Sequence, residues 1–157
     1  MPAATDLERQ LTCPDPDATS ALGRALAGAA RAGDLVCLWG ELGAGKTHLA
    51  KAFGAGLGVT DTITSPSFVL MAEYAGRLPL FHLDLYRLAD ATDVLGGGLV
   101  DDRQGGGVTV VEWPDRMAGA LPDGRLDVRI DGTGDGPRSI TIRAGTPAYR
   151  RYLEVIP

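Results

Sequence analysis

The chain has 157 residues, carries 15 basic and 20 acidic side chains for a net charge of −5, and is 45% hydrophobic. That length suits one domain with its own core, and so much apolar content excludes a disordered chain. The acidic balance argues against direct capture of nucleic acid, which depends on basic side chains set against phosphate. Glycine fills 22 positions, roughly twice the usual share, but without the strict period of collagen. Two cysteines, Cys13 and Cys37, make no disulfide framework, and the only histidines are His48 and His82. Cys37 lies in an apolar run and is expected to pack as a small hydrophobe. The N-terminus does not read as a signal peptide, and no apolar run reaches the ~18 residues of a membrane span. A single cytoplasmic domain, 1–157, is the expectation.

In chain order, the spacing of Leu22, Leu26 and Ala29 predicts a helix from Asp17 to Arg31, capped by Asp17 or Thr19 and ended by Gly33. Leu35 to Trp39 is a continuous apolar run, as in a strand buried on both faces. A glycine-rich turn follows, then a helix from about Lys46 to Gly56. Phe68–Tyr74 and Leu78–Leu85 read as strands joined by the short Ala75-Gly76-Arg77 link of a hairpin. From Ala89 to Gly107 the pattern is weak, with glycines at 96–98 and 105–107, and 93–107 is expected to be loosely specified. Val108–Glu112 is another buried strand. Leu126–Ile130 and Ser139–Arg143 read as an antiparallel pair around a glycine-rich turn at 132–136, and the tail from Pro147 as a short helix.

Gly40-Glu41-Leu42-Gly43-Ala44-Gly45-Lys46-Thr47 satisfies the phosphate-binding pattern G-x-x-x-x-G-K-[ST], with a strand before it and a helix after it. Such glycines let successive backbone N–H groups converge on phosphate oxygens at a helix N-terminus. Lys46 is placed to reach the β- and γ-phosphates, and the Thr47 hydroxyl to ligate Mg²⁺. Two acids end strands and so face the ligand crevice of an α/β sheet, Asp84 and Glu112. Asp84 is assigned to water or metal and Glu112 to Mg²⁺, and the sequence alone allows the two roles to be exchanged. Ser65-Pro66-Ser67 lies where a switch loop would sit. The [NT]-K-x-D element of GTPases and the LSGGQ signature of transporter ATPases are both absent. A P-loop small-molecule kinase and a nucleotide-gated binding module remain as alternatives.

G-E-L-G-A-G-K-T, T-S-P-S-F, F-H-L-D-L-Y-R-L and V-V-E-W-P-D-R occur in an order and spacing that resembles the TsaE family, called YjeE in older usage. The resemblance covers most of the chain, from 14–19 to the last strands. It implies an α/β P-loop NTPase with a mixed, mostly parallel sheet flanked by helices and an antiparallel C-terminal pair. It implies an ATPase that uses ATP and Mg²⁺, is weak alone, and acts on the TsaB–TsaD complex that makes threonylcarbamoyladenosine in tRNA, meeting tRNA only indirectly. Carried over residue by residue, it makes Lys46, Asp84 and Glu112 the catalytic residues and Thr47 and Glu112 the metal ligands. Gly43, Ala44, Gly45, Lys46, Thr47 and His48 would cradle the nucleotide, with Thr19 toward the base and Arg138 nearby. Ser65, Pro66 and Ser67 would be the switch. Trp113 matches the family tryptophan beside the acid, with a packing aromatic as the equal alternative. His48 stands where a second threonine is common and reads as a helix-surface residue, and Ser67 replaces a more usual threonine.

Overall fold

The structure, a computed structural model, describes residues 7–63, 71–86 and 104–157. The expected switch Ser65–Ser67, the first residues of the expected strand at 68 and most of the glycine-rich segment 93–107 lie outside those residues.

Among the described residues seven strands form one sheet: β1 (Glu8–Cys13), β2 (Leu35–Trp39), β3 (Met71–Tyr74), β4 (Leu80–Asp84), β5 (Val108–Glu112), β6 (Leu126–Asp131) and β7 (Arg138–Ala144), in the order β1-β7-β6-β2-β5-β4-β3. The central pairs β6–β2, β2–β5 and β5–β4 are parallel. The flanking pairs β1–β7, β7–β6 and β4–β3 are antiparallel. Only β7 and β3 therefore run against the other strands, so the sheet is mixed and mostly parallel, with the expected antiparallel C-terminal pair. Continuous apolar runs such as Leu35–Leu38 and Val108–Val111 suit the centre, where both faces are covered.

Helices α1 (Pro16–Ala27) and α2 (Lys46–Gly56) pack together on one face of the sheet. There Leu22, Leu26, Leu49 and Phe53 meet Val36, Leu38, Val110, Val128 and Ile140 in the larger core. The opposite face buries Leu35, Cys37, Phe81, Leu83 and Val111 beneath Met117 of a 3₁₀ segment, Pro114–Ala120. Cys37 does pack there as a small hydrophobe, and burial pushes its thiol far above the usual range. No helix among the described residues is long and apolar enough to cross a membrane.

Four expectations need correction. Strand β1 has no counterpart in the sequence reading, because Glu8-Arg9-Gln10-Leu11 is polar enough to look like a tail; it is an edge strand held by β7. The cap of α1 is Asp15, whose carboxylate accepts from the Ala18 amide at 2.9 Å, not Asp17 or Thr19. Pro16 fits the first helical position, where an amide would have no partner, so the cap falls one residue before it. The helix ends at Ala27, and the chain tightens through 3₁₀ bonds up to Ala30 instead of continuing to Arg31. Finally, 104–107 is closely specified: Gln104–Gly106 makes a 3₁₀ turn, and the Gly107 carbonyl accepts from Gly33 at 2.8 Å. A Cβ on Gly107 would stand 2.2 Å from the Pro79 carbonyl, so this glycine is required by close approach.

Candidate functional site

The turn between β2 and α2 is built by glycine. Gly43 and Gly45 have φ of +83° and +106°, a region that other residues enter only at a cost. The Ala44 amide donates to the Glu41 carbonyl at 3.0 Å and closes the loop. Gly45 caps α2 without any side-chain bond, in contrast to Asp15 on α1. Among the described residues no side chain caps the start of α2, the arrangement that favours an anion at a helix N-terminus.

Lys46 folds back over this loop. Its ammonium donates to the Gly40 and Glu41 carbonyls at 2.5 and 3.0 Å and sits 4.0 Å from the centre of the Trp113 ring. Burial pushes the Lys46 ammonium below its ordinary range, while the carboxylates of Glu112, Asp115, Asp84 and Glu41 oppose that shift. The same four acids therefore bear on one cation, and the sequence points to only two of them, Asp84 and Glu112.

Next to Lys46, Thr47 Oγ1 donates to Glu112 Oε1 at 2.8 Å and stands 3.0 Å from Oε2. Glu112 is buried at 3% exposure, and its Oε2 also accepts from His82 Nε2 at 2.6 Å. Asp84 lies directly across the β4–β5 pair from Glu112, and its Oδ1 accepts from the Tyr86 amide at 3.0 Å. Strand pleating puts Leu80, His82 and Asp84 on the face that carries α2, opposite to Phe81 and Leu83. Among the described residues no group of three His, Cys, Asp or Glu side chains could hold a metal. One hydroxyl and one or two carboxylates are nonetheless the hard oxygen donors that suit Mg²⁺ when substrate phosphates and waters complete its shell.

A cleft of about 260 Å³ opens beside the loop between α1, α2 and the β6–β7 turn, lined in part by Thr19, Ala44, Gly45, His48 and Arg138. These are five of the residues expected to hold a nucleotide. Two of them are already committed. His48 is exposed, with its Nε2 2.8 Å from Ser20 Oγ and 3.1 Å from the Pro16 carbonyl. Arg138 Nε donates to the Ala44 carbonyl at 2.9 Å, and its two terminal nitrogens donate to Gly136 and Gly134 at 2.6 and 2.8 Å. Arg138 braces the cleft by tying the loop to the β6–β7 turn, a fuller role than an arginine merely near a nucleotide.

Trp113 follows Glu112 with φ +59°, the one non-glycine residue with positive φ among the described residues. Besides Lys46, its ring meets Tyr86 at 4.9 Å between centroids. The sequence reading missed His82, Asp115 and the brace of Arg138. A signal for His82 was available: it stands two residues before Asp84 on an otherwise apolar strand, hence on the same face.

The family model described as "Threonylcarbamoyl adenosine biosynthesis protein TsaE" matches residues 13–140. The chain belongs to the TsaE family. Relatives named as tRNA threonylcarbamoyladenosine biosynthesis protein TsaE include that of Bacillus subtilis, 40% identical over 89% of this chain and 88% of its own length. The Treponema pallidum TsaE is 44% identical over 70% of this chain and 82% of its own, and the Streptomyces coelicolor TsaE 43% identical over 77% and 86%. Among solved structures, Bacillus subtilis YdiB superposes with a TM-score of 0.77 at 34% identity, covering 94% of this chain and 92% of that one. The TsaE match spans both the glycine loop and Glu112, and it includes Arg138.

Proposed function

We propose that this chain binds ATP with Mg²⁺ and hydrolyses it in support of threonylcarbamoyladenosine formation in tRNA, acting on proteins of the TsaB and TsaD type. The observation that carries the reading is the meeting of Thr47 with buried Glu112 at the mouth of a positive-φ glycine loop. That pairing supports Thr47 and Glu112 as the holders of Mg²⁺, and it leaves Asp84, across the strand pair, to orient water. The metal, when bound, neutralises charge on the phosphates. The loop amides bind the phosphates, Lys46 exchanges its carbonyl partners for the terminal phosphate oxygens, and Asp84 accepts a hydrogen bond from the attacking water. The cleft walled by Thr19, His48 and the Arg138-braced turn takes the nucleoside. The family names of the relatives support the tRNA pathway, and the net charge of −5 supports protein partners over direct tRNA capture.

The deciding experiment is tRNA modification under multi-turnover conditions, reconstituted with TsaB and TsaD proteins, with and without this chain. Modification continuing past the first turnover only when the chain and ATP are present is the expected result; no effect of the chain there refutes the reading. Lys46→Ala is expected to lower the partner-stimulated ATPase rate by about 100-fold or more, the scale on which charge-stabilising groups act. A Glu112→Gln protein that binds ATP, fails to hydrolyse it and still sustains modification would instead assign a nucleotide-gated binding module.

A further inference from the structure

His82 is wholly buried, on a strand whose neighbours Leu80, Phe81 and Leu83 are apolar and buried. An imidazole there loses its hydration, and hydrogen bonds must offset the loss. Among the described residues it makes one: Nε2 lies 2.6 Å from Glu112 Oε2, while Nδ1 has no hydrogen-bond partner there. A buried ring nitrogen left unpaired is uncommon and calls for an explanation. A carboxylate oxygen only accepts, so the bond assigns the proton to Nε2. Glu112 in turn is buried, and its described donors are His82 on one side and Thr47 on the other.

We propose that His82 is a positioning residue for Glu112: its Nε2–H pins the carboxylate against Thr47, so that an arriving Mg²⁺–nucleotide meets Glu112 in one orientation. His82 touches neither substrate nor metal and acts through Glu112 alone. Ligating carboxylates depend on such outer partners, whose loss typically weakens metal affinity or activity by 10–100-fold. The inference rests on the nucleotide reading above, yet it makes a claim about the free protein that can be checked separately.

The test compares wild type, His82→Leu and His82→Gln. Gln keeps an N–H donor near the position of Nε2, and Leu removes it while filling an apolar site. His82→Leu should lower kcat for ATP about tenfold or more and raise the Mg²⁺ needed for half-maximal rate several-fold, and His82→Gln should recover to within about threefold of wild type. Binding of a fluorescent ATP analogue without Mg²⁺ should stay within about twofold in both variants. Independently, nitrogen-edited NMR of the free wild-type protein should show a slowly exchanging proton on His82 Nε2 that is lost in Glu112→Leu. A His82→Leu protein with wild-type kcat and Mg²⁺ dependence overturns the proposal, and so does a His82→Gln protein as impaired as His82→Leu. Should His82→Leu fail to fold, His82→Gln and the NMR signal decide. Should the wild type neither bind nor hydrolyse ATP, the functional reading falls, and the NMR signal alone judges the positioning: rapid exchange or the Nδ1 tautomer refutes it.

Discussion

Lys46 is held by the loop it belongs to. Two carbonyls and the face of Trp113 hold its ammonium, and cation–π attraction of this kind is worth ~0.5–2 kcal/mol depending on desolvation. A phosphate drawing Lys46 away must change the surroundings of the Trp113 ring. Trp39 is the only other tryptophan, so in Trp39→Phe protein ATP should shift the Trp113 emission, and adding Lys46→Met should remove that shift. An unchanged spectrum at saturating ATP would show that Lys46 stays on the ring. The positive φ of Trp113 also matters at this scale, because a bulky residue holds that conformation only when its surroundings impose it. Contacts with Lys46 and Tyr86 are what this ring obtains in return.

Two element-level devices set the shape of the site. Helices α1 and α2 approach closely at Gly23, where a Cβ would stand 2.7 Å from the Ala52 Cβ and 3.0 Å from the Leu49 carbonyl. Gly23→Ala is therefore an overpacking change, expected to cost about 1–3 kcal/mol in a urea unfolding series; an unchanged midpoint would mean that the helix pair can spread freely. The second device is the Arg138 brace between the glycine loop and the β6–β7 turn. Its described bonds all go to backbone carbonyls. Arg138→Ala should accordingly weaken nucleotide binding by about tenfold while changing kcat by less than about threefold, because it alters ground and transition states alike. A fall in kcat with unchanged affinity would place the guanidinium in the chemistry instead.

Across the whole molecule, the end of the sheet remote from the loop is closed by the chain terminus. Asp34, just before β2, accepts from the Arg31 amide at 2.9 Å, from the Tyr152 hydroxyl at 2.5 Å and from the Arg151 guanidinium. The Leu35 amide donates to the Tyr149 hydroxyl at 2.9 Å. Helix α3 (Arg151–Glu154) is only one turn long and holds its place through this cluster. Burial, reinforced by Asp34, pushes the Tyr152 hydroxyl far above its ordinary range, and burial raises Tyr149 as well. Their native pKa values exceed the unfolded value of about 10. The native state thus holds more protons above that pH, and stability present below it is lost as pH rises further. Unfolding free energy should fall above pH ~10 by up to ~1.4 kcal/mol per pH unit for each tyrosine, and Tyr152→Phe should reduce that slope by about one proton. A slope unaffected by the substitution would show that Tyr152 ionises in the folded protein.

Local chemistry determined a large part of this protein before any fold was known. Apolar runs at 35–39 and 108–112 read as buried strands, and the loop before Lys46-Thr47 announced itself because its backbone conformation demands glycine at Gly43 and Gly45. Strand-end position drew attention to Asp84 and Glu112. Tertiary structure decided what depends on partners distant in sequence. The polar run Glu8–Cys13 becomes a strand only because β7 offers an edge to pair with. Gly107 is explained only by the Pro79 carbonyl that crosses it, and Arg138 is a brace only because the β6–β7 turn folds against the loop. His82 reads as one histidine on an apolar strand until pairing of β4 with β5, and packing of α2 upon them, brings Thr47, Glu112 and its own Nε2 together. Periodicity is a property of neighbours along the chain, whereas a hydrogen bond between residues 30 or 65 positions apart is set by how the sheet is ordered.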